Sequence, residues 1–272
     1  MSVRSQPEST TLFAADTRPF FFPAGPVGCL LLHGFTGTPY EMRFMGERLF
    51  TSGYSVNGVQ LAGHCTSVED LEWRTWQDWY SSARAGLAEL RHGRTHIVLI
   101  GQSMGALLAL KLAVDDPDAV IGVVLLSPAL MLSNPWLHRL GPAFPYLLPF
   151  LSRRRRYVGK GESDIADPHA RAASPNYRRV PLRALHQLLL LQKQVRRILP
   201  HVRRQVLVVH SRQDHTCPLS NVELLQQALG NPPRTRVLDA SYHVVSVDVE
   251  KEQIALEVQA FIAEIPLTLP WP

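Results

Sequence analysis

The chain has 272 residues, 46% hydrophobic and 19% charged, with a formal net charge of +5. That is enough apolar content for a full core, and the length suits one α/β domain with an insertion or two small domains. No run of about eighteen apolar residues is present, which excludes a helical membrane span.

The N-terminal stretch is polar and lacks the apolar segment of a signal peptide. Cys29, Cys65 and Cys217 cannot all pair within one chain, and they read as reduced thiols of a cytoplasmic protein. No Cys/His cluster has zinc spacing, and neither G-x-x-x-x-G-K-[ST] nor G-x-G-x-x-G occurs, so no metal and no cofactor is expected. The charge is uneven. Residues 151–205 hold fourteen Lys or Arg and three Asp or Glu, so this segment carries +11 and the rest −6.

In chain order, Phe20 to Phe22 reads as a short strand and Val27 to Leu32 as a second. The second runs into His33-Gly34-Phe35-Thr36-Gly37-Thr38-Pro39. Pro39, with Thr38 as N-cap, should start a helix that Gly53 ends. Ser55 to Gln60 reads as a strand, and Leu61 to Glu72 as a loop holding Gly63-His64-Cys65. Trp73 to His92 should be mostly helix, with Trp76, Trp79, Tyr80, Ala83, Leu87 and Leu90 at core spacing.

His96 to Ala113, HIVLIGQSMGALLALKLA, is the most informative stretch. A buried strand runs into Gly101-Gln102-Ser103-Met104-Gly105, and a helix follows. A serine between glycines at i−2 and i+2, on a strand-to-helix turn, is the nucleophile-elbow pattern. The turn is strained, and a β-carbon at either flank would collide with its neighbours.

A strand at Val120 to Leu126 comes next, and then the pattern breaks. Residues 129–165 are apolar, aromatic and rich in proline, Arg153 to Arg156 lie among them, and a helix is expected over Val180 to Leu199. Alternation resumes with a strand at Val206 to His210, a helix near Leu219 to Leu229, a strand at Thr235 to Leu238 and a last helix from about Glu250 to Glu264. The expected fold class is therefore α/β, a mostly parallel sheet covered on both faces, with the middle stretch folded over its carboxyl edge.

A serine hydroxyl needs a base, and the base needs an orienting acid. His243, just past the last strand, is the candidate base. His210 ends a strand as a candidate core histidine, His201 lies at the opposite edge, and His215, beside Asp214, reads as a loop surface residue. Asp214, three residues beyond the strand VLVVH, is the candidate acid, with Asp239 and Asp248 as rivals; Asp248 reads as a cap of the last helix. An oxyanion would need preorganised donors. The Met104 N–H is one, and the Phe35 N–H in the loop after His-Gly is the other.

Taken together, LLLHGFTGTP, GQSMG, a loop Asp and a C-terminal SxH resemble the α/β-hydrolase superfamily, and more narrowly the bacterial carboxylesterase and monoacylglycerol lipase group. The likeness runs from about Phe20 to Ile265 and takes in Gly63-His64 and the helix near Leu185 to Arg197. It implies the α/β-hydrolase fold, Ser103, Asp214 and His243 as a triad, Phe35 and Met104 as oxyanion donors, and residues 129–199 as a small helical cap. The chain departs from the group's commoner pattern at Tyr242, Cys65 and Cys217.

The expected domains are a polar segment at 1–18, a core at 19–128 and 200–272, and the cap between. The expected function is serine carboxyl-ester hydrolysis of short- to medium-chain acyl esters or monoacylglycerols. Thioesterase, amidase, perhydrolase or carbon–carbon hydrolase chemistry and a non-catalytic binding module are the alternatives. Trp136 and Phe144, among the cap's apolar residues, should line the acyl slot. The expected partner is a small acyl ester and not a nucleic acid, since no binding motif accompanies the arginines. The basic cap has two readings, a solvated face and a weak contact with anionic lipid or acidic substrate.

Overall fold

A computed structural model describes residues 16–133 and 156–267. Trp136 and Phe144 lie outside the described residues.

Nine strands are described. β1 (Phe20–Phe22), β2 (Val27–Leu32), β3 (Ser55–Val59), β4 (His96–Gln102), β5 (Val120–Leu126), β8 (Gln205–Ser211) and β9 (Arg234–Leu238) form a seven-stranded sheet. Its order is β1-β3-β2-β4-β5-β8-β9, parallel throughout except for β1, which pairs antiparallel with β3. β6 (Tyr157–Gly159) and β7 (Arg179–Pro181) form a separate antiparallel pair. Parallel pairing sends every carboxyl end of β2, β4, β5, β8 and β9 to one edge, so the loops after them converge there.

The α-helices among the described residues are α1 (Tyr40–Thr51), α2 (Val68–Trp73), α3 (Trp76–Arg91), α4 (Met104–Asp115), α5 (Pro168–Ala173), α6 (Leu182–Ile198), α7 (Ser220–Ala228) and α8 (Lys251–Glu264). One face of the sheet carries α3, α4 and α6 around Trp79, Leu107 and Leu191; the other carries α1 and α8 around Met42, Met45 and Phe261. The central strands are buried on both faces, which is why they read as unbroken apolar runs rather than alternating ones. α4 is buried nearly all round because the sheet covers one side and α6 the other. Each leucine so enclosed contributes about 1.5–3 kcal/mol.

Three local expectations need correction. Thr38 does not cap α1: Pro39 holds that position, and the Thr38 hydroxyl is buried without a partner. The stretch read as a loop through Glu72 contains α2, capped by the Ser67 side chain accepting from the Asp70 N–H. The helix expected to start at Trp73 starts at Trp76, because Thr75 and Asp78 form a reciprocal capping box.

The turn between β4 and α4 sets the position of everything at the carboxyl edge. A β-carbon on Gly101 would strike the Gly105 backbone, and one on Gly105 would strike the Leu32 carbonyl of β2. Gly105→Ala should therefore cost about 1–3 kcal/mol by overpacking. Gly159→Ala, with open space around its β-carbon, should stay within about 0.5 kcal/mol of the parent. Urea unfolding midpoints check both. Equal stability of the two variants would contradict the close approach of α4 to β2.

Candidate active site

Ser103 sits between β4 and α4 at φ +56° and ψ −111°, a conformation few non-glycine residues adopt. Its N–H donates to the Leu126 carbonyl at 2.8 Å, and its carbonyl accepts from Ala106 and Ala129, each at 3.2 Å. The side chain is thereby turned out over the carboxyl edge, against the first turn of α4 and its positive dipole end.

His243 Nε2 stands 2.9 Å from Ser103 Oγ, and His243 Nδ1 stands 2.8 Å from Asp214 Oδ2. The hydroxyl, the ring and the carboxylate are thus in line. Ser103 and His243 are buried, and so is the Asp214 side chain. Asp214 Oδ1 accepts from the Thr216 and Cys217 N–H groups at 2.9 and 2.7 Å, which fixes the carboxylate's rotation. The Gln102 side-chain amide donates to the His243 carbonyl at 3.0 Å.

Burial opposes charge on both members of the pair, but the pair outweighs it. The His243 ring is held above its ordinary value of 6.5 by the charge of Asp214 and the hydrogen bond to it, with Asp164 and Glu41 adding in the same sense. Asp214 is held below the usual carboxylate value by His243 and by the Cys217 N–H. An imidazole that gains a proton more readily than in water, beside a hydroxyl, is suited to general-base work.

The rival acids lie elsewhere. Asp239 is exposed and pairs with Arg212 at 3.1 Å. Asp248 does not cap α8 with its side chain. Its carboxylate instead accepts from the N–H groups of Ala166, Asp167 and Tyr242, at 2.8–2.9 Å. His210 is buried, with Nε2 toward the Cys217 carbonyl at 3.1 Å and Nδ1 unpartnered.

The loop after β2 is tightly braced. The Gly34 N–H donates to Glu41 at 3.1 Å, the Thr36 N–H to His64 Nε2 at 3.1 Å and the Gly37 N–H to the Gly34 carbonyl at 3.1 Å. Lys160, from the insertion, donates to the Thr36 hydroxyl at 2.5 Å. The neighbours' amides are thus committed, while the Phe35 N–H enters none of these loop bonds.

Sequence reasoning named His33 and His64 in their loops but gave neither a role. His33 Nε2 accepts from the Leu61 N–H at 3.2 Å, and His64 Nε2 accepts from Thr36. A backbone N–H can only donate, so each ring carries its proton on Nδ1 and donates it, His33 to Gly34 and His64 to Ala62. Burial keeps both neutral, His33 pushed down to about 4 and His64 well below its ordinary value. The one available signal was the placement of each histidine beside a glycine after a strand.

Among the described residues, ligand atoms of Asp214, Cys217 and His243 lie within 4.8 Å of one another. A metal would need a thiolate there, but burial and the charges of Asp214 and Asp164 push the Cys217 thiol far up. The trio fits an acid–base pair with a neighbouring thiol better than a metal centre.

Comparison with known proteins agrees with this architecture. Residues 27–250 match the hydrolase family described as "Serine aminopeptidase, S33". The thermostable monoacylglycerol lipase of Bacillus sp. (strain H-257) is 32% identical over 251 residues, covering 92% of this chain and 96% of that protein. The carboxylesterase of Bacillus subtilis (strain 168) is 24% identical, covering 91% and 97%. A solved structure from work on the metagenome-derived lipolytic enzymes LipS and LipT superposes with a TM-score of 0.82 at 28% identity, covering 91% and 98%. The chain belongs to this hydrolase family and has the α/β-hydrolase fold.

The two loop histidines generate a measurable expectation. Each is neutral when folded, while an unfolded histidine titrates near 6.5. The unfolded chain therefore binds more protons between about pH 4 and 6.5, and the rings' contribution to stability, complete above 6.5, is lost as pH falls through that window. Nitrogen-15 spectra at pH 5 should show His33 and His64 as neutral Nδ1–H tautomers. A protonated His33 at pH 6 would contradict the bracing.

Proposed function

We propose that this member of the serine aminopeptidase-type α/β-hydrolases is a carboxyl-ester hydrolase that works through an acyl-enzyme on Ser103. The observation that carries the reading is the continuous line from Ser103 Oγ to His243 at 2.9 Å and on to Asp214 at 2.8 Å. Ser103 Oγ attacks the acyl carbonyl as His243 Nε2 takes its proton. Asp214 keeps the proton on His243 Nδ1 and stabilises the imidazolium. The N–H groups of Phe35 and Met104 receive the oxyanion. His243 then protonates the leaving alcohol, and water, activated by the same ring, releases the acid.

The substrate class is short- to medium-chain acyl esters or monoacylglycerols. The similarity to a monoacylglycerol lipase and a carboxylesterase supports it. The segment at 129–199 is read as a cap over the carboxyl edge. Its described part supports that reading at Lys160, which reaches the loop after β2; α6, by contrast, lies on α4 over the sheet face. For the basic cap the reading is a solvated face, with a weak contact to anionic lipid or acidic substrate as the second reading; Arg156 and Arg179 are already paired with Glu72 and Glu69. Arg183 stacks 4.2 Å over the Trp73 ring, which is 66% exposed, and Arg156 and Arg179 flank Tyr157. Among the described residues no helix is long and apolar enough to cross a membrane.

Ser103→Ala should abolish labelling by a fluorophosphonate while the fold is retained. kcat/KM on a p-nitrophenyl ester should fall as pH drops through a value above 6.5, because His243 must be neutral to act and its partners hold it protonated longer than in water. Asp214→Asn should cut kcat by about 10⁴. Undiminished labelling of Ser103→Ala, or the same loss from Asp239→Asn but not Asp214→Asn, would overturn the assignment. A panel adding acyl-thioesters and amides separates ester hydrolysis from the alternative chemistries.

A further inference from the structure

We propose that Asp164, supplied by the insertion, is a positioning residue for this hydrolysis that clips the loop carrying the acid to the loop carrying the base. The inference rests on the triad reading above and adds to it a residue that touches no reacting atom.

β6 and β7 pair antiparallel and bracket residues 160–178, which reach the loops at the carboxyl edge through Lys160 and Asp164. There the Asp164 carbonyl accepts from the N–H groups of both His243 and Val244, each at 3.0 Å. Its carboxylate turns the other way. Oδ2 accepts from the His215 N–H and the Thr216 hydroxyl, both at 3.0 Å, and Oδ1 faces His215 Nδ1 at 2.8 Å. Thr216 is itself a donor to Asp214. One residue therefore touches the base loop with its backbone and the acid loop with its side chain.

The residues after it lock the strap in place. Ile165 is fully buried against Val244 and Val247, and the N–H groups of Ala166 and Asp167 share the Asp248 carboxylate with Tyr242. The acid and base loops leave neighbouring strands, β8 and β9, which fix where the loops start and not where their tips stand. The Ser103–His243–Asp214 line needs both tips held, and displacement of about 1 Å at such a site can cost 10²-fold in rate.

Asp164 also carries charge. The groups facing His243 are Asp214 from the loop after β8, Asp164 from the insertion and Glu41 from α1. His210 faces the pair from the end of β8, and Lys160 offsets Glu41. Removing the Asp164 charge should make His243 easier to deprotonate. A strap with a purely mechanical role would leave that titration unmoved.

The test compares Asp164→Ala, Asp164→Asn and Thr216→Val with the parent and with Ser103→Ala, all as full chains. kcat and KM on p-nitrophenyl butyrate are followed against pH, alongside fluorophosphonate labelling and thermal melting. Asp164→Ala should lose about tenfold to a hundredfold in kcat with KM little changed. Asp164→Asn, nearly the same shape, should lose less and remain folded, and both should move the acid limb to lower pH. Thr216→Val, which cuts one link and keeps the charge, should lower kcat with the limb unmoved. Parental kcat and an unmoved limb in both Asp164 variants would overturn the inference. So would a kcat loss that merely tracks a lowered melting temperature with the limb in place. If Ser103→Ala keeps its label, the triad reading fails first; if it loses the label while the Asp164 variants behave as parent, only the Asp164 inference fails.

Discussion

Ser103 holds a backbone conformation that it would rarely adopt in a free chain, φ +56° and ψ −111°. Such a residue costs about 1–3 kcal/mol and persists only where its surroundings over-determine it. Here they do. β4 is buried on both sides, α4 is enclosed by the sheet and α6, and glycines at 101 and 105 let the helix approach β2 backbone to backbone. The core thus holds the strain, and the strain keeps the hydroxyl out of the helix and within reach of His243.

Electrostatics completes what packing begins. The carboxyl edge holds several buried titratable groups, on each of which burial and nearby partners act together or against one another. His33 and His64 stay neutral because burial disfavours their charge and backbone donors occupy their acceptor nitrogens. Asp214 stays charged because two amides and His243 face it. Glu41, which accepts from the Gly34 amide, and Lys160, which donates to the Thr36 hydroxyl, are each pulled toward neutrality by burial and toward charge by the other. A braced loop of this kind keeps its amides aimed before a substrate arrives, so little reorganisation remains for the reaction itself.

The legible part of the sequence was the part governed by local rules. The strand–Ser103–helix turn, the alternation of strands and helices and the edge positions of Asp214 and His243 all follow from short patterns. What escaped depended on contacts across the chain. Thr38 looked like a cap, but Pro39 takes that position and is already helical. Asp248 also looked like a cap of the last helix, yet beside the nearby Tyr242 and Val249 amides its carboxylate holds those of Ala166 and Asp167, 82 and 81 residues away. The two histidines bracing the loop after β2 act on each other's loops, 28 residues apart. Asp164 reaches across 51 residues to His215. No pattern of spacing encodes such pairs, because the fold that joins them is set by other residues.

The central claim is that Ser103 carries the acyl group between two chemical steps. Rapid acid quench of the enzyme during turnover of a p-nitrophenyl ester, followed by peptide mass analysis, tests it most directly. A burst of nitrophenol and an acyl adduct on the peptide containing Ser103, lost in Ser103→Ala, are expected. An adduct on another residue, or turnover by Ser103→Ala at the parental rate, would contradict it.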